Sequence, residues 1–106
     1  MVQNKVNGLL GLASKAGKIV YGSDAVEEAI YKKKVNLVII SEDSSENTKE
    51  KFIEICNKNN IKFKVFGTIE KNSKAIGKEN KAIIAVKDLS LAEAVLERIN
   101  GGEAIG

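Results

Sequence analysis

Two uninterrupted apolar runs, Leu37-Val38-Ile39-Ile40 and Ala82-Ile83-Ile84-Ala85-Val86, constrain this chain more than any other feature. Each is too short for a helix and lacks the polar alternation of a strand with one face in water. Each therefore reads as a strand buried on both faces. Such strands need a layer on either side, and the rest of the chain supplies them. Val6, Leu9, Leu10 and Ala13 recur at i, i+3, i+4, i+7, the stripe of one helix over about residues 3–16. Lys15 falls in its last turn and Gly17 stops it.

Lys18-Ile19-Val20-Tyr21 reads as a short strand. Gly22-Ser23-Asp24 opens a second helix, with Asp24 or Ser23 as its cap and Val26, Ala29 and Ile30 inward. Lys32-Lys33-Lys34 ends it, where cations suit the helix dipole. A polar stretch, 41–48, leads into a third helix carrying Phe52, Ile55 and Cys56 inward. Ile61, Phe63 and Val65 alternate with Lys62 and Lys64, the pattern of a strand covered on one face. A short helix over about residues 69–76 stops at Gly77. Asp88 or Ser90 caps a last helix with Leu91, Ala94, Val95 and Ile99 inward.

The order α-β-α-β-α-β-α-β-α predicts an α/β fold, a three-layer α/β/α sandwich on a four-stranded mixed sheet. Residues 1–100 are expected to form a single domain and 101–106 a flexible tail. At 106 residues a chain buries about two thirds of its unfolded surface, enough for a core of its own.

Composition removes most catalytic chemistry. With no histidine, no imidazole can act as base or metal ligand, which excludes Ser-His and Cys-His nucleophilic sites. One cysteine without histidine also excludes the usual zinc sites, so no metal and no cofactor is expected. Cys56 lies on an apolar stripe and reads as core. Carboxylates, lysines and two tyrosines remain, with no clustered pair, so the chain is not expected to be an enzyme or to take a small-molecule substrate. Five aromatics argue against a stacking platform for single strands. No apolar run approaches a membrane span, the first ten residues do not read as a signal peptide, and a lone cysteine suits a reducing compartment. A cytoplasmic location is expected.

The net charge of +3 is a faint basic bias, but its distribution is uneven. Residues 1–18 hold three lysines and no acid, residues 71–87 five lysines and one acid, and residues 42–54 five acids against two lysines. Gly11-Leu-Ala-Ser-Lys-Ala-Gly17-Lys18-Ile19 has the look of a phosphate loop. It fails because one residue too many separates the glycines and Ile19 stands where Ser or Thr must bind magnesium. Two segments suit a nucleic-acid backbone better. At Gly22-Ser23-Asp24 a glycine permits close approach to the free N–H groups of a helix N-terminus, with Lys15 and Lys18 upstream. At Lys74-Ala75-Ile76-Gly77-Lys78-Glu79-Asn80-Lys81 three lysines surround a helix stop and a polar loop. Lysines fix phosphates without reading sequence. Helix capping and ordinary turn chemistry account for the same residues in a structural reading.

These segments also carry a resemblance. Leu9-Leu10-Gly11-Leu12-Ala13 with Lys15-Ala16-Gly17-Lys18 and Gly22, then Val38-Ile39-Ile40-Ser41-Glu42-Asp43, then Lys74-Ala75-Ile76-Gly77-Lys78-Glu79 and the strand from Ala82, look like the bacterial YlxQ-type branch of the ribosomal L-seven-Ae/L-thirty-e superfamily. The likeness runs from about residue 5 to 99. It implies an α/β/α sandwich that binds kink-turn RNA. In that family the turn after the first strand and the start of the second helix enter the RNA groove, through a Gly-x-Asn-Glu motif with a basic residue one turn on. A loop of Ala-Val-Gly-x-Glu type covers an extruded base. The matching positions here are Gly22, Ser23, Asp24, Ala25 and Glu28, and then residues 75–80.

Three positions depart from the pattern: Asp24 replaces the asparagine, Ala25 the glutamate and Glu28 the basic residue. Good bidentate base contacts discriminate by about 1–3 kcal/mol each, so RNA affinity is better supported than kink-turn specificity. The resulting expectation is a non-catalytic, monomeric binder of structured RNA, with the ribosome as the first candidate partner. Lys15, Lys18, Lys74, Lys78 and Lys81 would meet phosphates, Gly22, Ser23 and Asp24 would make the close approach, and Ile76-Gly77-Lys78 would clamp. The rival expectation is a protein-interaction module on the same scaffold, with the charged helix over 45–58 as its partner surface.

Overall fold

A computed structural model describes residues 2–105, with side chains for residues 2–101. The elements are α1 (Val2–Lys15), β1 (Ile19–Tyr21), α2 (Ser23–Tyr31), β2 (Leu37–Ile40), α3 (Glu46–Lys58), β3 (Phe63–Val65), α4 (Ile69–Ala75), β4 (Ile83–Val86) and α5 (Leu89–Ile105). The sheet order is β1-β4-β2-β3. β2 and β3 are parallel, while β4 runs antiparallel to both β1 and β2. The expected three-layer sandwich on a four-stranded mixed sheet is therefore what forms.

The two apolar runs supply its two inner strands, and every residue of β2 and β4 is buried, with Ala82 half-buried just before β4. Alternation along them splits the core. Val38, Ile40, Ile83 and Ala85 join Val26, Ile30, Phe52 and Cys56 beneath α2 and α3. Leu37, Ile39, Ile84 and Val86 join Val6, Leu10, Val95 and Ile99 beneath α1 and α5, with Ile76 from the end of α4. Each fully buried aliphatic chain contributes about 1.5–3 kcal/mol, so these two layers dominate stability.

β3 is an edge strand. Ile61 and Phe63 pack against the first layer, but Val65 is 41% exposed. The chain turns there, and Phe66 crosses to the other layer while its N–H donates to the Ile40 carbonyl.

Four helices end in the same way. The N–H groups of Gly17, Lys33, Asn60 and Gly77 bond back to the carbonyls of Ser14, Ile30, Asn57 and Lys74. Those of Lys18, Lys34, Ile61 and Lys78 reach Ala13, Ala29, Cys56 and Ser73. This is the paired bonding of a Schellman stop, with the first residue of each pair at φ between 56° and 72°. Three of these stops place a lysine next.

Starts are less uniform. Ser45 and Thr68 accept from the N–H groups of Thr48 and Lys71, and Asp88 rather than Ser90 accepts from Leu91. α2 departs from expectation: its cap is Gly22, with no side-chain bond, so neither Ser23 nor Asp24 caps it. On α5, Ala92 is buried with Val95 and Ile99, while Leu91 and Ala94 are half-buried. Its helical backbone continues past 100 to Ile105. Of the expected tail, Gly106 and the side chains of 102–105 lie outside the described residues. No helix among the described residues is long and apolar enough to cross a membrane.

Cys56 is fully buried, and desolvation pushes its thiol up to about 11. Native protein should therefore react with a disulfide reagent at pH 8 at least about 100-fold more slowly than the unfolded chain. Equal rates with and without urea would show that the α3 layer opens freely.

Candidate nucleic-acid interface

β1 ends at Tyr21, and the next N–H, that of Gly22, donates to the Ile83 carbonyl at 3.0 Å. Gly22 sits at φ 89°, ψ 148°, a conformation essentially restricted to glycine. The bend turns the chain at once into α2, whose first turn carries Ser23 and Asp24, both exposed. Because no side chain caps this helix, its first N–H groups and both side chains stay available to a ligand. Pairing with β4 brings this turn beside the segment that enters β4.

That segment is held firmly. Buried Ser73 on α4 donates its hydroxyl to the Lys81 carbonyl at 3.2 Å and accepts from the Lys81 N–H at 2.7 Å. The loop 77–81 is thus pinched at its far end, while Gly77, at φ 71°, closes α4 at the near end. Buried Asn72 fixes α4 in turn, donating to Ser41 Oγ at 3.1 Å and to the Phe66 carbonyl at 2.8 Å. An open groove runs beside α4, lined by Asp43, Ser73, Lys74, Lys78, Asn80 and Lys81 among others.

Tyr21 joins the two segments. The Nζ atoms of Lys78 and Lys81 lie 5.2 Å and 5.3 Å from its ring centroid, and the ring is 37% exposed. Two ammonium groups are thereby gathered beside the open start of α2. Sequence reasoning passed over Tyr21, although an aromatic ending a strand just before a functional glycine was a usable signal.

The remaining expected residues divide. Lys74, Lys78 and Lys81 share the groove, and Gly77 is exposed beside them. Ile76 is a core residue, 4% exposed, so its side chain offers no clamp. Its carbonyl accepts instead from Ser14 Oγ at 3.3 Å, which sets the end of α1 against the end of α4 and leaves Lys15 exposed nearby. Lys18 is not at this site. Its carbonyl accepts from the Lys87 N–H at 2.8 Å, at the opposite end of β1. Glu28, at the family's basic position, is bonded to Lys32 at 2.6 Å, and that bond holds its carboxyl below the usual range. Among the described residues, no group of acidic, cysteine or histidine side chains could hold a metal ion.

A backbone-lined turn and a lysine loop at the carboxyl ends of β1 and β2 are a ligand-binding arrangement of a mixed α/β sheet. Residues 4–95 match the family described as Ribosomal protein L7Ae/L30e/S12e/Gadd45, and the chain belongs to it. It is 34% identical to the RNA-binding protein YlxQ of Bacillus subtilis (strain 168) over 87% of this chain and 92% of that one. It is 31% identical to the RNA-binding protein YlxQ of Enterococcus faecium over 93% and 95% of the two chains. The structure of a protein of unknown function from Bacillus halodurans C superposes with a TM-score of 0.88, at 34% identity over 91% of this chain and 97% of that one. The Giardia lamblia 15.5kD RNA binding protein shares the fold, with a TM-score of 0.78 at 16% identity over 99% and 90%. These curated relatives are named for binding and not for a reaction, in line with a non-catalytic chain.

Replacing Ser73 with alanine would leave the half-buried Lys81 N–H without its acceptor. We expect a loss of about 1–3 kcal/mol in urea unfolding. The amides of 78–81 should exchange with solvent faster, while those of β4 stay protected. Unchanged exchange in the loop would show that Ser73 does not hold it.

Proposed function

We propose that this chain binds structured RNA, gripping the phosphate backbone between the first turn of α2 and the loop 77–81. The observation that carries this reading is the meeting of Lys78 and Lys81 over Tyr21, beside the uncapped start of α2. Cations and free helix N–H groups at one place are what a phosphate backbone requires. The names of the relatives support the same ligand class, and ribosomal RNA is the first target to test.

Kink-turn recognition is a narrower matter. Ionised Asp24 accepts hydrogen bonds but donates none, Ala25 has no polar group, and Glu28 is bound to Lys32. We read the protein as a binder of RNA shape and backbone with a weakened preference for sheared G·A edges. The rival protein-partner reading gains little from α3, whose lysines pair with Glu46, Glu27 and Glu54.

RNA affinity should fall linearly in log terms with log salt, each neutralised phosphate contributing about 0.7–0.9 to the slope. A Lys78→Ala/Lys81→Ala variant should therefore flatten the slope by about 1.4–1.8 and weaken binding. A slope identical to that of the parent would remove both lysines from the interface. The triple change Asp24→Asn, Ala25→Glu, Glu28→Lys should raise preference for a kink-turn over a plain duplex by at least about tenfold. No gain in a competition assay would mean that the RNA docks differently.

A further inference from the structure

Lys18 was expected beside Gly22 but lies four residues back along the strand, about 13 Å away at the usual rise. There it converges with two lysines distant in sequence. Lys18 follows the stop of α1, Lys34 follows the stop of α2, and Lys87 follows β4. The three line one shallow depression with Asp88 and Leu89.

Their backbones are fixed. The Lys87 N–H donates to the Lys18 carbonyl at 2.8 Å, and the Lys34 N–H to the Ala29 carbonyl at 2.9 Å. Asn36 ties the group together, its side chain donating to the Lys87 carbonyl at 2.6 Å and its N–H to Val86 at 2.8 Å.

The three lysines outnumber the one acid, Asp88, in the depression. None of the three makes an ion pair among the described residues, whereas Lys32, Lys49, Lys51 and Lys58 each have a glutamate. The one acid in the depression, Asp88, uses its carboxylate to accept from the Leu91 N–H at 2.9 Å. Glu28, whose charge Lys34 feels, is bonded to Lys32. Like charges held together on a rigid frame repel, and nothing in the fold requires them there. The depression offers no aromatic ring and no base-reading amide. It suits phosphates in a backbone rather than an exposed base.

We propose that Lys18, Lys34 and Lys87 form a second phosphate-binding contact, which holds a stem flanking the RNA segment bound at Gly22 and the loop 77–81. This inference rests on the RNA-binding reading given above. Lys18 and Gly22 are about 13 Å apart along the strand, more than one Debye length of roughly 8–10 Å, so the two clusters act as separate contacts, and an RNA whose stems are trimmed short of the Lys18 end of β1 meets only the first.

The test uses the full chain with two RNAs, a minimal kink-turn and the same kink-turn with each stem extended by two helical turns. The parent protein should bind the extended RNA with a salt slope steeper by about 2–3 and an affinity on the order of 10- to 100-fold higher at 0.1 M salt. A Lys18→Gln/Lys34→Gln/Lys87→Gln variant should lose that excess yet bind the minimal RNA as the parent does. Lys34→Glu alone, with an unchanged circular dichroism melt, should lose most of it.

An excess that persists in both variants, or equal slopes for the two RNAs in the parent, would overturn the second contact. The Lys78/Lys81 result would then still decide the first. If a polyglutamate peptide, and not the extended stem, is what the triple variant ceases to bind, the cluster is a protein contact and the proposal falls. Failure of the parent to bind either RNA would overturn the proposed function itself.

Discussion

The hydrogen bond from the Gly22 N–H to the Ile83 carbonyl closes the ladder between β1 and β4, and the placement of the charged residues follows from that ladder. Tyr21 pairs with Ile84, so the end of β1 lies beside the chain that enters β4 through Lys78 and Lys81. Ile19 pairs with Val86, so the start of β1 lies beside the chain that leaves β4 through Lys87. A parallel pairing would have reversed this, bringing Lys18 towards Lys81 and Tyr21 towards Lys87. Antiparallel pairing therefore decides which lysines can touch the same ligand. It is held by the ladder bonds to β1 and β2 together with the burial of Ile83, Ile84, Ala85 and Val86 on both faces.

How far the sequence could reveal this depended on the range of the interactions involved. The inner strands were legible because burial on both faces leaves a local mark, an unbroken apolar run. Helix stops were legible at Gly17 and Gly77 for the same reason. What could not be read locally was the partner of each strand. Lys18 seemed to belong with Gly22 because four residues separate them, but an extended strand turns four residues into about 13 Å. Ile76 seemed to belong to the exposed loop because glycine and lysine follow it, yet the helical stripe of α4 turns it into the core. Tyr21 looked unremarkable until pairing with β4 brought two ammonium groups to its ring.

The start of α2 shows a different limit. Asp24 and Ser23 have the chemistry of a cap, and capping was the economical reading. A cap residue needs extended backbone just before the helix. Here Gly22 takes that position with a positive φ, and the helix begins one residue too early for either side chain to reach back. Local propensity is overridden by the tight exit from β1. The outcome is a helix terminus that lacks an internal partner for its first N–H groups, an arrangement that costs stability and leaves binding capacity at that spot.

Charge pairing sorts the surface in a consistent way. On α2 and α3 the glutamates answer the lysines, and exposed pairs of this kind contribute little to stability. Their larger effect is to cancel field. Glu28 illustrates it: a carboxylate one turn from the candidate RNA contact would repel phosphate, but Lys32 at 2.6 Å offsets its charge. The ion pairs found among the described residues thus gather on α2 and α3, while Lys18, Lys78, Lys81 and Lys87 at the two ends of β1 make none. Charge that is paired on the helices and unpaired beside the edge strand makes that edge a better partner for a polyanion than a chain total of +3 suggests.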